Sequence, residues 1–143
     1  MREIFQSGGA ADTERIAAAL ADSLQPGDVI ALYGGLGAGK TAFVRGLAAG
    51  LGSQDDVSSP TFALVKEYAG RIPLAHFDMY RIAGWADLDS TGYYDYLEQR
   101  FVLAIEWSER VEAALPANCL RIYITPGAAP EDRVITIEGG ALC

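Results

Sequence analysis

The chain has 143 residues, half of them hydrophobic, and 11 Lys and Arg stand against 19 Asp and Glu for a formal net charge of −8. That length fits one domain with a core of its own, and the apolar content excludes the composition of a disordered chain. The acidic balance excludes a free-standing nucleic-acid binder, which needs clustered Lys and Arg against phosphate, and Lys40 and Lys66 are the only lysines.

Residues 12–24 place Ile16, Leu20 and Leu24 four apart behind Asp12 and Thr13, which predicts an opening helix with either residue as its cap. Pro26-Gly27-Asp28 breaks it, and the apolar run Val29–Tyr33 predicts a strand buried on both faces. A glycine-rich turn over 34–39 feeds a helix carrying Phe43, Val44, Leu47 and Leu51, which ends near Gly50 and Gly52. After the polar stretch 53–60, Phe62–Tyr68 and Ile72–Tyr80 read as two strands of a hairpin around Gly70. Residues 85–100 read as helix with loops, Phe101–Trp107 as a buried strand, and Ser108–Leu115 as a short helix stopped by Pro116. Leu120–Thr125 and Arg133–Glu138 alternate apolar and polar residues in the manner of strands. There is no internal repeat, and interleaved strands and helices predict an α/β fold.

The turn between the first predicted strand and its helix carries the chemistry. Gly34-Gly35-Leu36-Gly37-Ala38-Gly39-Lys40-Thr41 has the glycine, four residues, glycine, lysine and hydroxyl of a phosphate-binding loop, in the strand-to-helix context that this motif requires. Glycines allow backbone N–H groups to wrap phosphate oxygens, and the following helix adds the positive end of its dipole. Lys40 then meets the β- and γ-phosphates, and the Thr41 hydroxyl takes one position around Mg²⁺. The fold expected is a single P-loop NTPase-type domain over residues 1–143, with a central, mostly parallel sheet flanked by helices and an antiparallel hairpin. The only asparagine, Asn118, has no lysine beside it. The Asn-Lys-x-Asp element that reads guanine is therefore missing, and ATP becomes the default nucleotide.

Phosphoryl transfer also needs carboxylates for metal and water, and the end of a buried strand is a rigid place for them. Glu106 follows Val102-Leu103-Ala104-Ile105 and Asp78 closes Leu74-Ala75-His76-Phe77; each is a candidate, with turn-capping or pairing to an arginine as the alternative. Thr61 lies in a polar connection where nucleotide switches present a hydroxyl or carbonyl to metal or γ-phosphate, or simply starts a strand. His76, the only histidine, excludes a multi-histidine metal centre; with no partner evident in the sequence it reads as a strand residue outside the catalytic set. Trp85, Tyr93, Tyr94 and Tyr96 read mainly as core, with an exposed docking patch as the other option. Two distant cysteines without a Cys-x-x-Cys pair, no run of eighteen apolar residues and no secretory pattern at Met1–Phe5 predict a cytoplasmic protein.

The ordered set Leu32–Thr41, Val57-Ser58-Ser59-Pro60-Thr61-Phe62-Ala63-Leu64-Val65, His76-Phe77-Asp78-Met79-Tyr80-Arg81 and Ile105-Glu106-Trp107-Ser108-Glu109 resembles the bacterial TsaE (YjeE) family, the ATPase of tRNA threonylcarbamoyladenosine biosynthesis. The likeness spans nearly the whole chain. It implies an ATPase acting with TsaB and TsaD, which form threonylcarbamoyladenosine at position 37 of tRNAs reading codons that begin with A. It further implies that Thr41 and Glu106 help hold Mg²⁺, that Asp78 is needed for hydrolysis, and that Trp107 lies near the nucleotide. Thr13 and Arg133 would approach the nucleotide from the two ends of the chain. The family commonly has Asp where Gly35 stands, a change that keeps the backbone cradle and removes any contact made by that acid. A net charge of −8 accords with reaching tRNA only through partners. The competing functions are a small-molecule kinase, which would require an acceptor pocket and an arginine-rich lid absent from the sequence, and a nucleotide-controlled binding module with incidental hydrolysis.

Overall fold

The computed structural model describes residues 2–35, 37–58 and 65–139. Seven strands form one sheet: β1 (Arg2–Ser7), β2 (Val29–Tyr33), β3 (Val65–Tyr68), β4 (Leu74–Asp78), β5 (Val102–Glu106), β6 (Leu120–Pro126) and β7 (Arg133–Gly139). Among the described residues four helices accompany them: α1 (Ala10–Ala21), α2 (Lys40–Gly50), α3 (Trp85–Ser90) and α4 (Tyr93–Glu98), with a 3₁₀ segment over Ser108–Ala114. The spatial order is β1-β7-β6-β2-β5-β4-β3. The middle strands β6, β2, β5 and β4 run parallel; β3 pairs antiparallel with β4 as the expected hairpin. The opposite edge is antiparallel as well, because β6, β7 and β1 form a meander-like margin. The sheet is thus mixed, with its parallel part at the centre. Of the predicted strand Phe62–Tyr68, only Val65–Tyr68 falls within the described residues.

Strand alternation splits the core in two. Ile30, Leu32, Leu74, Val102 and Ala104 pack with α1 and α2 on one face; Val29, Ala31, Ala75, Phe77, Leu103 and Ile105 pack with α3, α4 and the 3₁₀ segment on the other. Most of Val29–Tyr33 and all of Val102–Glu106 are buried, as expected of parallel strands covered on both faces. Tyr93 is fully buried and donates its hydroxyl to the Ala114 carbonyl at 2.9 Å, so its ring belongs to the second core, with Tyr96 edge-on to Phe77.

Two boundaries differ from expectation. β1 is a strand where the sequence shows no apolar alternation, because β7 supplies a full ladder from Arg2↔Glu138 to Ser7↔Arg133. The first helix starts at Ala10 after Gly9, and Asp12 acts inside its first turn by accepting the Gly8 N–H at 2.8 Å. Among the described residues no helix is long and apolar enough to cross a membrane.

Candidate nucleotide and metal site

The chain leaves the carboxyl end of β2 into α2, and it later crosses β2 on its way from β5 to β6. This reversal opens a crevice beyond the parallel strand ends, the place where α/β sheets bind ligands. The phosphate-loop residues sit there. Gly39 caps α2 with φ of 104°, a left-handed conformation that glycine adopts at little cost. A Cβ at Gly35 would meet nothing within 4 Å, so the cradle has open space on that side. Leu36 and Thr61 lie outside the described residues.

Lys40, the first residue of α2, is 6% exposed. Its Nζ donates to the Gly34 carbonyl at 2.6 Å and lies 3.6 Å from the centre of the Trp107 ring. Burial lowers the ammonium pKa below its usual value, while the charges of Glu106, Glu109 and Asp78 act in the opposite direction. A cation held this way, partly desolvated and without a close counter-ion bond, is a strong attractor for phosphate.

The carboxylates come from the neighbouring strands. β4 and β5 are parallel in a register that sets Asp78 opposite Glu106. Alternation then brings His76, Asp78 and Glu106 to the α2 face of the sheet, together with Leu74, Val102 and Ala104. Glu106 is 4% exposed. Its Oε2 accepts the Thr41 hydroxyl at 3.2 Å and stands 2.5 Å from His76 Nε2. Asp78 Oδ1 accepts the Tyr80 N–H at 2.9 Å. The structure therefore brings Lys40, Thr41, Asp78, Glu106 and Trp107 to one place, although 65 residues separate Thr41 from Glu106.

Trp107 is the only described non-glycine residue with positive φ, at 60°, a conformation that costs about 1–3 kcal/mol and is held only by its surroundings. Its ring lies 4.8 Å from that of Tyr80. The 3₁₀ segment that follows is tied back to the sheet by Glu112, which accepts hydrogen bonds from the Tyr33 hydroxyl and the Arg121 guanidinium. Tyr33 is the last residue before the phosphate loop, so this network fixes Trp107 relative to the loop.

Thr13 and Arg133 both line a cavity of about 230 Å³ with Gly37, Ala38 and Gly39. Their polar atoms are already engaged within the chain. Thr13 Oγ1 is 2.7 Å from Ser7 Oγ, and Arg133 donates to the carbonyls of Ala38 at 3.1 Å and Gly37 at 3.0 Å. Arg133 thereby braces the outside of the loop. Its bracing was not evident from the sequence, and neither was the partner of His76; both depend on strand neighbours remote in the chain.

No group of three or more His, Cys, Asp or Glu side chains able to hold a metal occurs among the described residues. Mg²⁺ suits such a place, because it is usually bound by one or two protein oxygens together with waters and substrate phosphates. The hydroxyl of Thr41 and the carboxylates of Glu106 and Asp78 are hard oxygen donors of that kind, and the loop beside them has the glycine and lysine pattern of phosphate-binding loops.

Comparison with known proteins agrees with this geometry. The family model described as Threonylcarbamoyl adenosine biosynthesis protein TsaE matches residues 8–135. The tRNA threonylcarbamoyladenosine biosynthesis protein TsaE of Treponema pallidum is 41% identical over 131 residues, covering 92% of this chain and 96% of that protein. A protein of the same description from Bacillus subtilis is 41% identical over 126 residues, covering 87% of this chain and 78% of its own length. A crystal structure of Bacillus subtilis YdiB matches with a TM-score of 0.83 at 36% identity, over 99% of this chain and 88% of that one. The phosphate loop, the strand-end carboxylates and these likenesses agree: the chain belongs to the TsaE family of threonylcarbamoyladenosine biosynthesis proteins.

Proposed function

We propose that residues 1–143 act as one P-loop ATPase domain. In this reading it is the ATP-binding and Mg²⁺-dependent hydrolysing component of the machinery that forms N6-threonylcarbamoyladenosine at position 37 of tRNAs reading codons that begin with A. It works in the cytoplasm with TsaB and TsaD, is stimulated by them, and meets tRNA only through that complex. The observation that carries the reading is the contact of Thr41 with Glu106 at 3.2 Å, which joins the hydroxyl of the phosphate loop to a strand-end carboxylate beside Lys40.

Each part has a task. The loop backbone from Gly34 to Gly39, including Gly35, Leu36, Gly37 and Ala38, cradles phosphate oxygens, and Lys40 exchanges its bond to the Gly34 carbonyl for the β- and γ-phosphates. Thr41, Glu106 and Asp78 would supply the protein oxygens for Mg²⁺, which would neutralise phosphate charge when bound. Asp78 or Glu106 orients the attacking water, and Lys40 stabilises the charge that develops in the transition state. Trp107 covers the ammonium of Lys40 and keeps bulk water from it. Thr61 contributes a switch contact, while Thr13 and Arg133 border the nucleotide from the outer side of the loop.

ATP hydrolysis by the purified chain with Mg²⁺, alone and then with TsaB and TsaD from the same source, tests this directly. Stimulation by the partners is expected. No stimulation, together with no detectable complex, would overturn the proposed partnership and leave a small-molecule kinase as the next reading to test.

A further inference from the structure

His76 is fully buried in β4, and none of the chemistry above uses it. Its Nε2 stands 2.5 Å from Glu106 Oε2, a separation that requires a hydrogen between the two atoms. Among the described residues its Nδ1, which is buried, has no hydrogen-bond partner. A hydrogen on Nε2 satisfies both facts, because one on Nδ1 would be buried with no acceptor among the described residues. For packing alone an aliphatic side chain would serve better between Leu74 and Ala104 in this face of the sheet, since it would bury no polar atom. The imidazole therefore has its use in Glu106.

That carboxylate is held on one side only. Oε2 takes hydrogen bonds from both His76 and Thr41, and Oε1 takes none from the described residues. We infer that His76 is the positioning residue of Glu106: its Nε2–H fixes Oε2 from within the sheet and leaves Oε1 for Mg²⁺ or a water of its shell. The inference rests on the proposed reading of Glu106 as a metal-holding carboxylate. Thr41 donates to the same Oε2, and because a hydroxyl has lone pairs besides its hydrogen that donation would be compatible with Thr41 holding an ion, so His76 and Thr41 would hold Oε2 together. Hydrogen bonds of this outer kind orient metal ligands, and losing one typically weakens metal binding about 10–100-fold.

The test is the Mg²⁺ dependence of nucleotide binding, read from the fluorescence of a labelled, non-hydrolysable ATP analogue, so that turnover is not needed. His76→Gln keeps an amide N–H at about the reach of Nε2, and His76→Leu has no donor. His76→Leu is expected to raise the half-saturating Mg²⁺ concentration about 10–100-fold, with analogue binding in EDTA and the melting temperature held near the wild-type values. His76→Gln should return it to within about threefold of wild type, and His76→Leu added to Glu106→Gln should have no further effect. Half-saturation of folded His76→Leu within about twofold of wild type while Glu106→Gln is impaired, or additive effects of the two substitutions, would overturn the role of His76 alone. An unchanged Mg²⁺ dependence in Glu106→Gln would overturn the assignment of Glu106 itself, and this inference with it. If His76→Leu does not fold, His76→Asn takes its place: the shorter amide falls short of Oε2, so Asn must show the loss that Gln does not, and equal behaviour of the two overturns the proposal.

Discussion

Lys40 concentrates the electrostatics of the site in one side chain. Its ammonium is nearly out of solvent and rests on one carbonyl and one indole ring, so phosphate oxygens meet a cation that gives up little hydration to bind them. Lys40→Ala is expected to weaken ATP binding by about 2–5 kcal/mol, the usual loss when one member of a buried charge pair is truncated. Isothermal titration with the nucleotide measures this, and unchanged affinity would refute the placement of the phosphates. Asp78→Asn should separate binding from chemistry. Affinity for nucleotide in EDTA should stay within about threefold of wild type, while Mg²⁺-supported hydrolysis falls about 10²–10⁴-fold, the range for a lost group that positions the attacking water. The same variant addresses the binding-module alternative: partner binding that still follows nucleotide state after turnover is lost would favour it. Glu106 was legible as a strand-end carboxylate because a continuous apolar run precedes it. Its bond to His76 was not, since that bond depends on β4 and β5 being neighbours in one particular register, 30 residues apart in the chain.

Among the elements, α1 and α2 cross closely at Gly46. A Cβ at Gly46 would lie 2.3 Å from the Glu14 carbonyl oxygen and 2.7 Å from its Cα, so the crossing tolerates no side chain there and backbone would have to move. Gly46→Val is predicted to destabilise the fold by about 1–3 kcal/mol, in the range of core overpacking, as read from urea unfolding. A midpoint equal to that of wild type would show that the helices separate freely. The crossing matters to the site because α2 carries Lys40 and Thr41 at its start. The strands that build the crevice could be read from sequence: β2 and β5 are continuous apolar runs, and their burial on both faces is what such runs signal. β1 could not. Its residues are mostly exposed, and it is a strand because β7 offers a ladder, a tertiary cause that local pattern does not carry. For the same reason the loop bracing by Arg133 was invisible, although the loop itself could be read from its glycines, lysine and threonine.

For the whole molecule, the phenols make stability fall on the alkaline side. Burial raises the Tyr93 hydroxyl pKa, burial and the bond to Glu112 raise that of Tyr33, and the 2.5 Å bond to Glu67 pushes Tyr96 up to about 12. Phenols in the unfolded chain lose their protons near pH 10. The folded state therefore holds more protons above that pH, and the stabilisation is complete below about pH 10 and lost as pH rises towards about 12. The urea midpoint should be level from about pH 8 to 9.5 and then drop, with a shallower drop in Tyr96→Phe. A midpoint that rises with pH over this interval would contradict the assignment. The acidic surface has a different consequence: with a net charge of −8, the chain gains little from phosphate attraction outside its loop, which favours the proposal that tRNA is met through partners.

Sustained formation of threonylcarbamoyladenosine on tRNA by TsaB and TsaD, supplied with threonylcarbamoyl donor, Mg²⁺ and ATP, tests the central claim most directly when this chain is added as wild type or as Lys40→Ala. Repeated turnover with wild type and its loss with Lys40→Ala is the predicted result. Equal turnover with the two proteins would contradict the account, because it would separate the phosphate loop from the function of the family.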